Sequence, residues 1–217
     1  MIRLMLPALG LSLCVSAAAV GQEGLVSGPQ KDTNLPGPCE VFNINGDVYK
    51  DRFHCQVCEH GFDPGVMVFA KEPLPGRDAA FNGLARGLEK AIAENKEFRL
   101  HAFMAVLSPQ FRSSVTGDGA KDREEIIKEV KAREELLARL RDRAAKLEMK
   151  QVILGCTTAA GPKTYDLNPR AEVTIIFYQK LRVIENYAFG PGEMTQEHVD
   201  MIVANVTKKL REKPAVK

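Results

Sequence analysis

Val66-Met67-Val68-Phe69-Ala70 is the stretch that decides the fold of this chain. Five consecutive apolar residues, rich in β-branched and aromatic side chains, are typical of a strand that is covered on both faces of a sheet. Pro73 and Pro75 follow and end the run, because proline cannot donate a hydrogen bond to a sheet. We therefore predict a central strand here, with helices on both faces of the sheet.

Downstream of this strand, helical and strand patterns alternate. We expect a helix over residues 78–95, a strand over residues 98–107 and a long charged helix over residues 122–149. The apolar stripe of the long helix consists of Ile126, Ile127, Val130, Leu137, Leu140, Ala144 and Leu147. This alternation indicates a sheet whose core strands are parallel.

The last third of the chain predicts a short strand, a strand pair and a closing helix. The short strand covers residues 151–155, and the pair covers residues 173–178 and 181–184, joined by Gln179-Lys180. Thr195 is a candidate N-cap for the final helix. Such a closing hairpin adds antiparallel strands to the parallel core, so the expected sheet is mixed.

Upstream of the central strand, the pattern indicates a β-hairpin. Residues 41–44 and 47–49 flank Asn45-Gly46, which is a strong signal for a two-residue turn because both central residues adopt positive φ. The hairpin leads into His54, Cys55 and Cys58, so a Cys-x-x-Cys pair precedes the central strand.

Residues 1–19 have the pattern of a cleavable signal peptide. Arg3 gives the positive start, residues 4–15 are apolar, and Ala17-Ala18-Ala19 offers small residues at the cleavage junction. The apolar run is shorter than the roughly 20 residues that span a membrane. Leu13 is too bulky for the usual lipoprotein junction, so we expect Cys14 to be lost on cleavage, with lipid anchoring as the alternative. An exported protein, periplasmic or extracellular, is predicted, without a transmembrane segment after cleavage.

Composition limits the classes of partner. The net charge is +2 and tryptophan is absent, so neither a basic nucleic-acid surface nor a base-stacking surface is indicated. We expect no nucleic acid and no cofactor; other exported proteins are the candidate partners, and the oligomeric state is left open. The expected organisation is a signal peptide (1–19), a flexible leader (20–38), a hairpin and Cys-x-x-Cys segment (39–62), an α/β domain (63–212) and a tail (213–217).

The element order resembles that of thioredoxin-like proteins, in particular the redoxin and peroxiredoxin branch, including small exported proteins of planctomycete-type bacteria. Residues 163–167 and 173–177 look like that family's tyrosine-bearing turn and the strand after it. The resemblance implies a thioredoxin-like fold: a central mixed β-sheet flanked by helices, here preceded by an N-terminal hairpin. It also implies a reactive cysteine after the central strand, where this chain has residues 71–77 and no thiol. A peroxidase is therefore not expected.

The Cys55/Cys58 pair leaves three interpretations open. The first is thiol-disulfide exchange, with Cys55 as the nucleophile beside His54 and Cys58 as the resolving thiol. No helix is predicted to begin at Cys55, because Gly61, Pro64 and Gly65 follow closely.

The second interpretation is a non-enzymatic binding domain with structural disulfides, in which Cys39 pairs across the hairpin with Cys55 or Cys58. Cys156 is either a further disulfide partner or a small buried hydrophobic residue. The third is a metal-binding module whose candidate ligands are Cys39, His54, Cys55, Cys58 and His60. His101, between apolar neighbours, is expected in the core.

Overall fold

The computed structural model describes residues 24–72, 78–111 and 123–212. The predictions for residues 1–19, including Cys14, for residue 122 at the start of the long helix and for the tail at 213–217 lie outside these residues. Seven strands form one sheet: β1 (Glu40–Asn43), β2 (Phe53–Cys55), β3 (Gly65–Lys71), β4 (His101–Ser108), β5 (Val152–Thr158), β6 (Val173–Gln179) and β7 (Arg182–Phe189). The helices are α1 (Gln56–His60), α2 (Asp78–Glu94), α3 (Arg123–Lys146) and α4 (Gln196–Arg211).

The predicted central strand is confirmed as β3. The strand order is β2-β1-β5-β4-β3-β6-β7, and β3 pairs in parallel with β4 and antiparallel with β6. Residues 65–70 are fully buried, as a strand between two covered faces requires. The sheet is mixed, as the sequence predicts, because β4 and β5 are parallel while β1, β6 and β7 are paired antiparallel with their neighbours.

The two faces of the sheet are covered differently. Val66, Val68 and Ala70 of β3 pack in one apolar cluster with residues of α2, α3 and α4. Met67 and Phe69 point to the opposite face, where Val57 of α1 and residues from the loops complete a smaller cluster. Helices therefore lie on both faces, as expected, but unequally: the three long helices share one face, and the short α1 lies on the other.

Helices α2 and α4 approach each other closely because two glycines of α2 lie at their contact. A Cβ atom at Gly87 would lie 2.8 Å from Cγ2 of Val203, so this glycine allows the close approach of the two helices. A Cβ atom at Gly83 would meet the amide of Gln196, whose flexible side chain would have to move. Thr195 caps α4 as predicted, since its hydroxyl accepts the backbone N–H of His198.

The N-terminal hairpin exists, but its second strand is not residues 47–49. Strand β1 pairs with β2 in the register Val41↔His54, and residues 44–52 form the connection. The side chain of Asn45 explains the difference: it donates to the carbonyls of Met149 and Val152 and accepts from the N–H of Leu154. These three bonds hold Asn45 against β5 and replace the two-residue turn that Asn-Gly predicts.

Residues 24–38 are not a flexible leader. The hydroxyl of Ser27 is buried and bonds Thr174 of β6 at 2.7 Å. The N–H groups of Asp32 and Leu35 donate to the carbonyls of Val183 and Leu181, so this stretch follows the outer edge of β7. Side chains such as Ser27 have specific partners about 150 residues away, which a composition-based prediction of flexibility cannot detect.

Candidate functional site

Cys55 and Cys58 form a disulfide, with their Cα atoms 5.2 Å apart. Cys55 ends β2 and is also the N-cap of α1, where its sulfur accepts the N–H of Cys58 at 3.1 Å. A helix therefore does begin at this pair, which corrects the prediction that none would. Gly61 ends the helix with a positive φ of 56°, a conformation that glycine adopts without steric penalty.

The two sulfur-bearing residues differ in exposure. Cys58 is exposed, whereas Cys55 is half-buried against the smaller apolar cluster. The role of Cys55 as the nucleophile stays a prediction, and the structure shows Cys58 as the more exposed residue of the pair.

Buried polar contacts fix the position of α1. The side chain of Gln56 is buried and donates to the side-chain oxygen of Asn43 at 2.9 Å, while its N–H donates to the carbonyl of Cys39. Val57 packs in the smaller cluster. The sequence does not single out Gln56, because a glutamine anchored by a residue of another strand has no local signature.

Polar and aromatic side chains flank the disulfide on both sides in sequence. His54 bonds the carboxylate of Glu59 at 2.7 Å, and its ring stacks on Tyr49 with centroids 3.6 Å apart. His60 stacks on His101 with centroids 3.8 Å apart. The residues on either side of Cys55 and Cys58 are therefore each held by a partner.

His101 is buried, as expected, and joins α1 to the core. It shares a 2.7 Å hydrogen bond with the hydroxyl of Tyr178, while its Nδ1 has no partner in the described structure. Burial, followed by the proximity of His60, lowers the pKa of His101 to about 3. Gly65 makes room for this packing, because a Cβ there would lie 2.4 Å from Nε2 of His101.

His60 is also held in its neutral form. Burial is the main cause that lowers its pKa, and the carboxylates of Glu59 and Asp63 oppose the shift. The same burial raises the pKa of Tyr178, so its hydroxyl stays protonated. The His60–His101–Tyr178 contact is thus uncharged at neutral pH.

Cys39 and Cys156 are free, buried thiols on opposite faces of the sheet. The prediction of a disulfide between Cys39 and Cys55 or Cys58 is therefore wrong. Cys156 is a small buried residue, which is one of the two roles expected for it. Burial raises the pKa of Cys39 strongly and that of Cys156 to about 12, so neither ionises near neutral pH.

The structure does not bring together the side chains that were the candidate ligands of a metal site. Among residues 24–72, 78–111 and 123–212, no group of three or more His, Cys, Asp or Glu side chains is arranged to hold a metal ion. Of the five candidates, Cys55 and Cys58 are joined to each other, Cys39 is buried, and His54 and His60 bind other side chains.

The carboxyl end of β3, where the resembling family has its reactive cysteine, carries a polar cluster instead. The Glu72 carboxylate accepts the Ser108 hydroxyl at 2.6 Å and forms an ion pair with Arg139. We call Glu72, Ser108 and Arg139 the Glu72 cluster. Its hydrogen bond and ion pair join β3, β4 and α3 at this point of the sheet.

No family model matches this chain, and no curated protein matches it. Solved structures do. A putative protein disulfide isomerase from Bacteroides thetaiotaomicron is 8% identical with a TM-score of 0.51, over 87% of this chain and 96% of that one. Two others are 11% identical. Copper-bound ScoI of Arabidopsis thaliana has a TM-score of 0.48, over 82% and 98% of the two chains. A secreted Mycobacterium tuberculosis disulfide oxidoreductase homologous to E. coli DsbE has a TM-score of 0.46, over 76% and 94%.

At 8% identity, the likeness to the Bacteroides structure concerns the fold alone. In this chain that fold is a mixed seven-stranded sheet with helices. No helix in the described parts of the chain is long and apolar enough to cross a bilayer. The chain has a thioredoxin-like fold with an added N-terminal hairpin that bears a Cys-x-x-Cys disulfide.

Proposed function

We propose that this protein exchanges thiols and disulfides with other proteins through the Cys55/Cys58 couple. The observation that supports this most directly is a disulfide whose Cys58 residue is exposed and whose Cys55 sulfur accepts a hydrogen bond from the Cys58 N–H. We expect the thiolate released at Cys55 to keep this hydrogen bond. A hydrogen bond to a thiolate stabilises it as a leaving group.

The size of the ring argues against a purely structural bond. A disulfide stabilises a fold mainly by limiting the unfolded chain, and the effect grows with the length of the closed loop. Cys55 and Cys58 are three residues apart. The chain-entropy relation gives about 2 kcal/mol for such a ring, compared with about 3 kcal/mol for a 15-residue loop. The Cys55–Cys58 disulfide therefore contributes little to the stability of the fold and lies at an accessible position.

The exchange proceeds in two displacements. A partner thiolate attacks the sulfur of Cys58, the Cys55–Cys58 bond breaks, and its electron pair leaves on the Cys55 sulfur. A second partner thiolate then attacks its own sulfur in the mixed disulfide, and the Cys58 thiolate leaves. The partner dithiol is oxidised to a disulfide, the couple is reduced to two thiols after proton uptake, and the reverse sequence reduces a partner.

An extracytoplasmic location is part of the proposal. It rests on the signal-peptide pattern of residues 1–19. Compartments outside the cytoplasm permit persistent disulfides, so an accessible Cys-x-x-Cys couple meets disulfide-bearing partners there. N-terminal sequencing of the protein from its host tests this part: a chain that begins near Val20 supports it, and an intact Met1 in the cytosol contradicts it.

The reduction potential of the couple tests the activity. We expect equilibration with a glutathione or dithiothreitol buffer to give a potential above about −300 mV, the upper range of inert structural disulfides. The Cys55→Ser variant, which keeps the exposed thiol, should form a mixed disulfide with oxidised glutathione, with release of one glutathione thiolate, faster than Cys58→Ser does. A potential below about −300 mV, with no catalysed reduction of insulin, would leave a structural disulfide.

A further inference from the structure

Strand β2, which leads directly into the disulfide, is a terminal strand of the sheet. The strand order begins with β2, which pairs with β1 on one side. Within the described residues, no strand pairs with its other side. An unpaired strand edge offers backbone donors and acceptors to another extended chain.

The hydrogen-bond pattern identifies which groups of β2 face outward. Asn43 donates to the carbonyl of Arg52, and Gln56 donates to the carbonyl of Cys39, so residues 52 and 56 bond toward β1. Residues along an antiparallel strand alternate in direction, so His54 also bonds toward β1, whereas Phe53 and Cys55 face away.

Three outward groups follow from this alternation: the N–H and carbonyl of Phe53 and the N–H of Cys55. The carbonyl of Cys55 belongs to the first turn of α1, because Cys55 is the N-cap. The side chain of Phe53 is 45% exposed, so an apolar surface lies beside the open backbone groups.

We propose that an extended, unfolded segment of a cysteine-containing polypeptide adds to the outer edge of β2 as a further strand. This assigns a substrate class to the exchange site and rests on the function proposed above. Side chains directly opposite each other on paired strands have Cβ atoms about 5 Å apart, so a substrate cysteine opposite Cys55 lies within reach of the disulfide.

The choice of an unfolded polypeptide follows from the geometry of the edge. A folded partner rarely presents an unpaired extended segment, whereas an unfolded chain presents many. The edge is only three residues long, so the backbone bonds give orientation and moderate affinity, and they favour a transient complex. Transient binding suits an exchange reaction, in which the product must leave.

The test compares a peptide with a small thiol. Stopped-flow reduction of the wild-type disulfide is measured with dithiothreitol and with an unfolded ten-residue peptide that has two cysteines. In Phe53→Pro the missing N–H faces away from β1, so the β1–β2 bonds remain. Phe53→Ala, which keeps the N–H, is the matched control for loss of the ring.

We expect Phe53→Pro to slow the peptide reaction about five- to tenfold relative to Phe53→Ala, as the loss of one hydrogen bond predicts, with the dithiothreitol rate unchanged. Peptides with backbone N-methyl groups at alternate positions repeat the test on the unaltered protein. Methylation at one parity should slow the reaction, and methylation at the other should not.

Equal rates for the two Phe53 variants, together with no parity effect among the methylated peptides, would overturn the proposal while the dithiothreitol rate leaves the exchange function intact. No reaction with either thiol would instead contradict the exchange function itself. Concentration-dependent association of wild type that Phe53→Pro abolishes would show that a second copy of the chain occupies the edge, which also overturns the proposal.

Discussion

Two positions on the carboxyl-end border of this sheet differ in a way that the fold alone does not anticipate. At the carboxyl end of β3, where thioredoxin-like proteins have their reactive cysteine, the Glu72 cluster joins Glu72 to Ser108 and Arg139. Strand β2 is an edge strand, separated from β3 by β1, β5 and β4. A disulfide with an exposed Cys58 lies at its end, where helix α1 begins. The fold determines where side chains stand on the sheet, but the chemistry of those side chains determines which position can react.

Removal of the Cys55 or Cys58 sulfur should have the largest effect. Cys55→Ser and Cys58→Ser each prevent the intramolecular disulfide, so we expect catalysed insulin reduction to be lost in both variants. Glu72→Gln is the matched control at the carboxyl end of β3 and should retain the wild-type rate. A Glu72→Gln variant as inactive as the cysteine variants would move the reactive site to the carboxyl end of β3.

Acid should destabilise the region below α1 through His101. Its pKa is about 3 in the folded protein against 6.5 for a free side chain, so the folded state binds fewer protons between these values. The contribution of neutral His101 to stability is therefore complete above about pH 6.5 and falls as the pH drops toward 3.

Urea unfolding at pH 7 and pH 4 measures this effect. The loss of unfolding free energy on acidification should be a few kcal/mol larger for wild type than for His101→Gln, which does not titrate. Glu72→Gln should keep the wild-type difference, because it lies at the other end of the sheet. Equal losses in wild type and His101→Gln would contradict the assignment.

Reduction of the disulfide should cost little stability. The small ring predicts a loss of about 2 kcal/mol of unfolding free energy in dithiothreitol, with the fold retained. Urea titrations of the oxidised and reduced protein give this value, and Cys39→Ala serves as a control for reagent effects on buried thiols. Loss of all cooperative unfolding on reduction would show that the pair is a structural bond.

Loss of the Glu72 carboxylate should have an effect of similar or smaller size on stability and none on exchange. Glu72→Ala removes the nearer acceptor of the buried Ser108 hydroxyl, which also lies 3.1 Å from Oε1 of Gln110, so we expect about 1 kcal/mol of destabilisation. The rate of exchange with dithiothreitol should stay unchanged at 25 °C. A slower rate in the fully folded variant would show that the Glu72 cluster and the disulfide are coupled.

The sequence predicts the core of this protein better than its edges. Strand β3 is recognisable because five adjacent apolar residues have no other common explanation, and α4 because Thr195 precedes a regular apolar stripe. The stripe of α3 was only half informative. Leu137, Leu140 and Ala144 are buried, whereas Ile126, Ile127 and Val130 are exposed, because the packing of a helix depends on what lies beside it.

The Cys-x-x-Cys spacing identifies the candidate site, but it does not predict the local structure around the two cysteines. Cysteine is an uncommon N-cap, so nothing local indicates that α1 begins after Cys55. Exposure of Cys58 and burial of Gln56 depend on β1 and on the smaller cluster, which no local pattern encodes. The orientation of the β2 edge follows from register, and the misleading Asn45-Gly46 turn signal placed the second hairpin strand too early.

The pairing of residues 27–35 with β6 and β7 also has a consequence for the order of folding. Ser27 bonds Thr174, and Leu35 bonds Leu181, across about 150 positions of sequence. When the chain is synthesised from its N-terminus, residues 27–35 cannot form these bonds until β6 and β7 have been made. Closing so long a loop is slow. We therefore expect residues 27–35 to be among the last to pack. The outer edge of β7 stays unpaired until they do.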